Sequence, residues 1–275
     1  MSNTKIRILS GVVLVVLVSA CLYIGRTASL ITIGLLGLLV VDEIITNFYD
    51  QNRTSLKYIV AQSIYAVNYA FFNFYQISKA SFSFWISVGI FLNILLLLYL
   101  FLIFKKSELL LKLFKITSWG VGAFVLIPLM SVSYVIHQGK PGWRELLIGL
   151  LFMNFLVDTF AFFSGKYFGK HKLWEAVSPK KTIEGAIGGV LASVIITSLY
   201  WHYVIKGFNP YFIPFFLLVA CSSQLGDLVQ SKFKRQFEIK DSSSLIPGHG
   251  GVYDRIDSLM FVAPLFAFFV MAIYA

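Results

Sequence analysis

Residues 211–274 read YFIPFFLLVACSSQLGDLVQSKFKRQFEIKDSSSLIPGHGGVYDRIDSLMFVAPLFAFFVMAIY. Two apolar runs, 211–230 and 257–274, bracket a block carrying Lys232, Lys234, Arg235, Glu238, Lys240, Asp241, Asp254 and Arg255. Each run approaches the ~20 apolar residues a helix needs to cross the hydrocarbon of a bilayer. Ionisable groups beside such spans are expensive and tend to be functional. The segment Ser223–Asp257 therefore reads as an active site built between two membrane helices.

Outward from there, the same pattern fills the chain. Of 275 residues, 58% are hydrophobic and 13% charged, and mean hydropathy is +0.79. A soluble domain of this length needs far more polar surface. Nine stretches qualify as spans: 8–25, 28–48, 58–77, 83–104, 116–136, 145–164, 184–204, 211–230 and 257–274. The expected fold is an all-α polytopic integral membrane protein with about nine transmembrane helices. Numbering tails and loops alternately, one set holds 18 of the 23 basic residues and the other 5. Basic residues concentrate on the cytoplasmic side, so the N-terminus is expected inside and the C-terminus outside. Both polar loops, 165–183 and 231–256, then face the cytoplasm.

The net charge of +10 fits cytoplasmic loops facing anionic headgroups and substrate better than nucleic acid. Lys5 and Arg7 precede an apolar run without a small-residue cleavage site, so the first span is expected to be retained. Cys21 and Cys221 lie in apolar runs and read as packing residues. Asn68, Asn93 and Ser118 read as interhelical hydrogen-bonding groups, Gly185-Ala-Ile-Gly-Gly189 as a close helix-packing face, and Lys105-Lys106 to Lys115 as an interfacial helix on anionic lipid. Asp42-Glu43 reads as an interfacial acidic pair near Arg53 and Lys57. Two regions are expected: 1–140, a membrane bundle without recognisable chemistry, and 141–275, the catalytic part.

Ser223, Asp227, Ser231 and Lys234 recur at four, four and three residues, one stripe of a helix that prolongs the eighth span. An acid flanked by hydroxyls is half of a hard-cation site; a carboxylate network with Lys234 explains it equally. Pro247-Gly-His-Gly-Gly251 offers backbone N–H groups that phosphate oxygens can approach, or is an ordinary turn. Asp254 and Asp257 open the last span. A cap explains the first acid and not the second. Asp158 lies late in the sixth span. It is followed by Gly165, Gly169 and Ser178-Pro-Lys-Lys-Thr182, where Ser-Pro reads as a helix start and the paired lysines as phosphate charges or a positive-inside loop.

Together these residues resemble the phosphatidate cytidylyltransferases, or CDP-diacylglycerol synthases. The pattern runs from Ser231 to Asp257 as SKFKR, four residues, KDSS and then IPGHGGVYDRID, with Ser223 and Asp227 upstream. It includes Asp158–Ala161, Gly165, Gly169 and SPKKT, and departs at Phe162, where the family has tyrosine. The resemblance covers residues 150–275. It implies the reaction of CTP with phosphatidate to give CDP-diacylglycerol and pyrophosphate. It also implies Mg²⁺, with room for a second cation, held by Asp227 and Asp254 with support from Asp257 and Ser223. Lys234, Arg235, Lys240 and Arg255 would neutralise phosphates, aided by Ser231, His249, Gly250 and Gly251. Ser178, Lys181 and Thr182 would meet the lipid phosphate or the triphosphate. Asp158 and Asp241 would play supporting parts, Asp241 by orienting a lysine. A bacterial inner membrane is the expected location, and a homodimer is left open. The alternatives are a CTP-dependent lipid-alcohol (polyprenol) kinase and a membrane ion transporter.

Overall fold

A computed structural model describes residues 3–102, 108–138 and 142–274. The helices are α1 (Asn3–Ile24), α2 (Arg26–Glu43), α3 (Leu56–Ala70), α4 (Lys79–Leu102), α5 (Glu108–Ile116), α6 (Val121–His137), α7 (Trp143–Phe168), α8 (Ile183–Tyr200), α9 (Ile213–Gln236) and α10 (Tyr253–Tyr274). One antiparallel hairpin, β1 (Lys172–Trp174) and β2 (Ser178–Thr182), lies between α7 and α8. Among the described residues, eight helices are long and apolar enough to cross a membrane. This is an all-α polytopic integral membrane protein.

The stretch expected as a third span, 58–77, is not one of the eight. It does form a continuous helix, α3 running into a π-helical turn at Phe71–Tyr75. Its polar side chains lower its hydropathy and are used inside the bundle. Gln62 Nε2 donates to the Leu38 carbonyl (3.1 Å), Tyr69 OH to that of Leu30 (2.8 Å), and Asn73 Nδ2 to Met130 Sδ (3.4 Å). Interhelical bonds of this kind are what permits polar groups at membrane depth.

α6 is the axis: Val125, Met130, Val135 and Ile136 have no exposed surface, and α2, α3, α4, α7 and α10 pack around it. One hydrophobic cluster contains Val41, Tyr65, Leu126, Met153 and Phe266. The core therefore crosses residue 140. α7 and α8 form the tightest pair, because the Gly185–Gly189 face does pack closely. A Cβ at Gly189 would stand 2.6 Å from the Val157 carbonyl oxygen.

Asn93 donates to the Phe261 carbonyl of α10 (2.6 Å), as expected of an interhelical group. Asn68 instead bonds back to Ile64 of its own helix (2.8 Å). Ser118 Oγ is buried without a partner among the described residues. Of the expected interfacial helix, Lys105 and Lys106 lie outside the described residues, while α5 holds Lys112 and Lys115. Lys57 donates to the Lys115 carbonyl (3.1 Å), so it does not join the Asp42–Arg53 pair (2.8 and 2.9 Å).

Candidate active site

The polar block lies where α9 ends and α10 begins. α9 continues unbroken to Gln236, as the helical spacing of Ser223, Asp227, Ser231 and Lys234 requires. It closes in a Schellman motif: Ile239 N donates to Lys234 O (3.1 Å) and Glu238 N to Arg235 O (3.1 Å). The chain then reaches Pro247-Gly248. His249 N donates to Ile246 O (2.9 Å), and Gly248 takes φ 75°. Proline followed by a left-handed glycine is the pattern of a type II turn.

The acids do not stand alone. Lys234, only 9% exposed, donates to Asp254 Oδ1 (2.9 Å) and Asp257 Oδ2 (3.3 Å), and Asp227 also acts on it electrostatically. Two aspartates of α10 thus hold one ammonium, with a third, on α9, within its electrostatic reach. Asp227 is itself paired with Lys181 of β2, and its charge reaches Asp158 on α7. The other oxygen of Asp254 holds the loop, accepting from Ser242 N (2.7 Å) and Gly251 N (3.0 Å).

Beside this group opens a cleft of about 530 Å³, lined by Arg7, Lys240, Asp241, Ser243, Ser244, Ile246, Gly248, His249, Gly250 and Arg255. That volume lies in the usual range for a small-molecule site, ~300–1,000 Å³. The Arg255 charge acts on His249 in the cleft and on Asp158, so the basic cleft and the aspartates adjoin. Partial burial, then the charges of Arg255 and Arg7, hold the His249 imidazole below its ordinary value of 6.5. α1 closes one side. Arg7 Nε donates to Gly248 O (2.9 Å), and Ser10 Oγ lies 2.8 Å from His249 Nδ1 and 3.0 Å from Pro247 O.

Several expected residues stand elsewhere. Ser223 is buried and donates to Asn154 Oδ1 (3.0 Å), and Asn154 Nδ2 donates to Ser258 (3.1 Å), a link between α9, α7 and α10. Ser231 is half-buried on α9. Arg235 is exposed and donates to Ile239 O (3.0 Å). Ser178-Pro179 opens a strand and not a helix. α8 starts five residues after Ser178, capped by Thr182, whose Oγ1 accepts from Gly185 N (3.1 Å). Proline is tolerated in a two-stranded edge, and threonine is a good N-cap. The hairpin is what brings Lys181 to Asp227.

The last amide of the glycine run and the two that follow it meet carboxylates of the protein. Gly251 N serves Asp254, while Val252 N (2.8 Å) and Tyr253 N (2.9 Å) donate to Glu43. Glu43 is thus no solvated interfacial residue; Ser242 falls within the KDSS run and Arg7 ahead of the first span, but neither they nor Ser10 were expected at the site. Lys232, part of the SKFKR run but given no role of its own there, donates to the Tyr99 and Leu100 carbonyls (3.2 and 2.7 Å) and so caps the end of α4.

Divalent cations of the hard class take oxygen ligands. Asp254 and Asp257 meet on the Lys234 ammonium and Asp227 acts on it from α9, so the chemistry of these oxygen donors is compatible with a cation. Among the described residues no three His, Cys, Asp or Glu side chains form a ready-made ligand cluster; Lys181 and Lys234 supply the positive charge here.

The sequence model of the cytidylyltransferase family matches residues 5–273. The chain belongs to the cytidylyltransferase family. Phosphatidate cytidylyltransferases of Staphylococcus aureus (strain COL) and Staphylococcus haemolyticus (strain JCSC1435) are 42% and 41% identical to this family member over 144 residues. That of Staphylococcus epidermidis (strain ATCC 12228 / FDA PCI 1200) is 43% identical over 145. Each match takes in 50% of this chain and 55% of the relative. The chain spans about half the length of the curated relatives it matches.

Proposed function

We propose that the protein is a phosphatidate cytidylyltransferase. The observation that carries this reading is the contiguity of a basic cleft with a group of aspartates, joined through Arg255. A reaction between two polyanions needs charge neutralisation and alignment more than it needs a side-chain nucleophile. The phosphate of phosphatidate has a second pKa of about 6 and is largely dianionic at neutral pH. One of its oxygens forms the new bond to the α-phosphorus of CTP. The bond from that phosphorus to the bridging oxygen breaks, and its electron pair leaves on pyrophosphate.

Each group then has a task. Arg7, Lys240, His249 and Arg255 line the cleft assigned to the CTP triphosphate, with Asp241 orienting Lys240. Lys181 and Asp158 stand on the side toward α7 and α8, where the exposed Phe162, Ile183 and Ile187 suit acyl chains. The lipid phosphate is assigned there, held by Lys181. Asp227 and Asp254, with Asp257 beside them, would hold a divalent cation, for which Mg²⁺ is our assignment. Held there, such an ion would supply positive charge to stabilise the negative charge that develops on the phosphate oxygens. Lys181 and Lys234 offset the repulsion among the carboxylates they are paired with. His249, held neutral, donates or accepts without adding charge.

We assign the N-terminus and both motif loops to the cytoplasm, where nucleoside triphosphates are found, of a bacterial inner membrane. The ninth crossing is α3 with its π turn: at 1.5 Å per residue, the helix 56–75 approaches the ~30 Å hydrocarbon thickness. The test is pyrophosphate release by the purified protein in vesicles. Release that requires both CTP and phosphatidate is expected; release independent of phosphatidate contradicts the assignment.

A further inference from the structure

Glu43 ends α2, in the half of the chain without motifs. Its neighbour Asp42 turns to Arg53 and Tyr58 (2.9 Å). One residue on, about 100° around the helix, Glu43 points into the protein and is 3% exposed. Four donors meet its carboxylate: Ser242 Oγ (3.0 Å), Ser243 Oγ (2.6 Å), Val252 N (2.8 Å) and Tyr253 N (2.9 Å). The last two are the amide just before α10 and the first amide of α10, so Glu43 caps that helix from another part of the chain, at its positive end. A buried charge is tolerated only when bonded in this way.

The surroundings are shaped to this carboxylate. A Cβ on Gly251 would stand 2.5 and 2.7 Å from its two oxygens, so only glycine lets the backbone press so close. Asn47 Nδ2 donates to Ser242 O (2.7 Å), and the Phe48 ring packs edge-on against Tyr253 (5.7 Å). Both lie in a π-helical turn, Ile44–Phe48, that follows Glu43 directly. Ser242 carries the contact on. Its hydroxyl lies 3.1 Å from Asp254 Oδ2 as well as 3.0 Å from Glu43, with one proton to give to either. The path continues through Asp254 to Lys234 and Asp257.

We propose that Glu43 is a positioning residue for cytidylyl transfer. Its carboxylate sets where the 242–253 segment and the start of α10 present Asp254 and Arg255 to the nucleotide. The Lys181–Asp227 pair sits on β2 and α9 and takes none of these four bonds. Disturbing Glu43 therefore disturbs the nucleotide half of the site and spares the lipid half. The kinetic part of this proposal rests on the function proposed above; the clamp itself does not.

The test combines amide exchange over 242–253 with steady-state kinetics in vesicles, CTP and phosphatidate being varied separately. Glu43→Gln places an NH₂ against at least one donor. We expect the 251–253 amides to exchange at least ~10-fold faster, kcat to fall at least ~10-fold, CTP KM to rise ~5-fold, and phosphatidate KM to stay within ~2-fold. Ser243→Ala, which removes one donor and leaves the carboxylate, is expected to give the same pattern several-fold weaker, and decides the matter if the Gln variant does not fold. Unchanged exchange overturns the proposal. So do equal rises in both KM values, or activity lost only in step with the folded fraction. A parent protein that transfers no cytidylyl group would sink the functional reading alone, and exchange would still decide whether Glu43 holds the loop.

Discussion

Asp227→Asn removes one negative charge while keeping the side chain's shape. In the structure that charge faces Lys181 and reaches Lys234, Asp158 and Asp257. Breaking a fully buried pair by removing one partner costs ~3–5 kcal/mol. Here the side chains of Lys181 and Asp227 are 21% and 29% exposed, so solvent screening reduces the figure to about 2–3 kcal/mol. If that loss falls on the transition state, turnover drops roughly 30- to 150-fold. The assay is incorporation of cytidine-labelled CTP into lipid by purified, vesicle-reconstituted protein, with thermal unfolding in detergent confirming a folded variant. Lys181→Met alone should cost less, and adding it to Asp227→Asn should cost little more, because the pair acts as a unit. A folded Asp227→Asn variant keeping a third of parental activity would refute the reasoning.

Asp254→Asn is expected to lose at least ~100-fold, and the Asp227/Asp254 double variant little beyond either single one; full multiplication of the two losses in the same assay would separate the two carboxylates. Lys240→Ala should raise the CTP KM several-fold, whereas Asp42→Asn should stay within ~2-fold of parent, an effect of ~0.4 kcal/mol; equal losses would reduce the cleft to general electrostatics. His249 has a depressed folded-state value, so the unfolded chain binds the extra proton more readily, and the contribution of neutral His249 is present above pH 6.5. That contribution is lost as pH falls through 6.5 toward the lower folded value. Parent protein should therefore lose more stability than His249→Asn between those values, by thermal unfolding across pH. Cysteines at positions 172 and 244, with Cys21 and Cys221 replaced, should resist an impermeant thiol reagent in sealed cells and react after permeabilisation; rapid labelling in sealed cells would reverse the orientation.

The membrane architecture was legible because hydrophobic length is local: eight of the nine expected runs appear as helices fit to span. The stretch 58–77 shows the limit. Its length marks it as a span, but its Gln62 and Asn73 lower its hydropathy and find their partners in Leu38 and Met130 of neighbouring helices. Asp227, Lys234, Asp254 and Asp257 could be brought together on paper because helical spacing and antiparallel neighbours fix where they lie. Glu43 could not. Whether an acid beside an acid is solvated or buried depends on partners some two hundred residues away, and adjacent Asp42 offered a ready surface partner in Arg53. The glycine run poses a related question. Glycine permits backbone amides to bind an anion but does not say which: the Gly251 amide goes to Asp254, and the two amides after the run, Val252 and Tyr253, go to Glu43. Ser178-Pro179 suits a helix start or an edge strand alone, and pairing with Lys172–Trp174 chose the strand.

The most direct measurement of the central claim uses CTP labelled at the α-phosphate in one tube and at the γ-phosphate in another, each with phosphatidate vesicles, a divalent ion and purified protein. The account predicts that α-label enters the lipid while γ-label appears only in pyrophosphate, in equal amounts. γ-Label in the lipid, or no phosphatidate-dependent label at all, would contradict it.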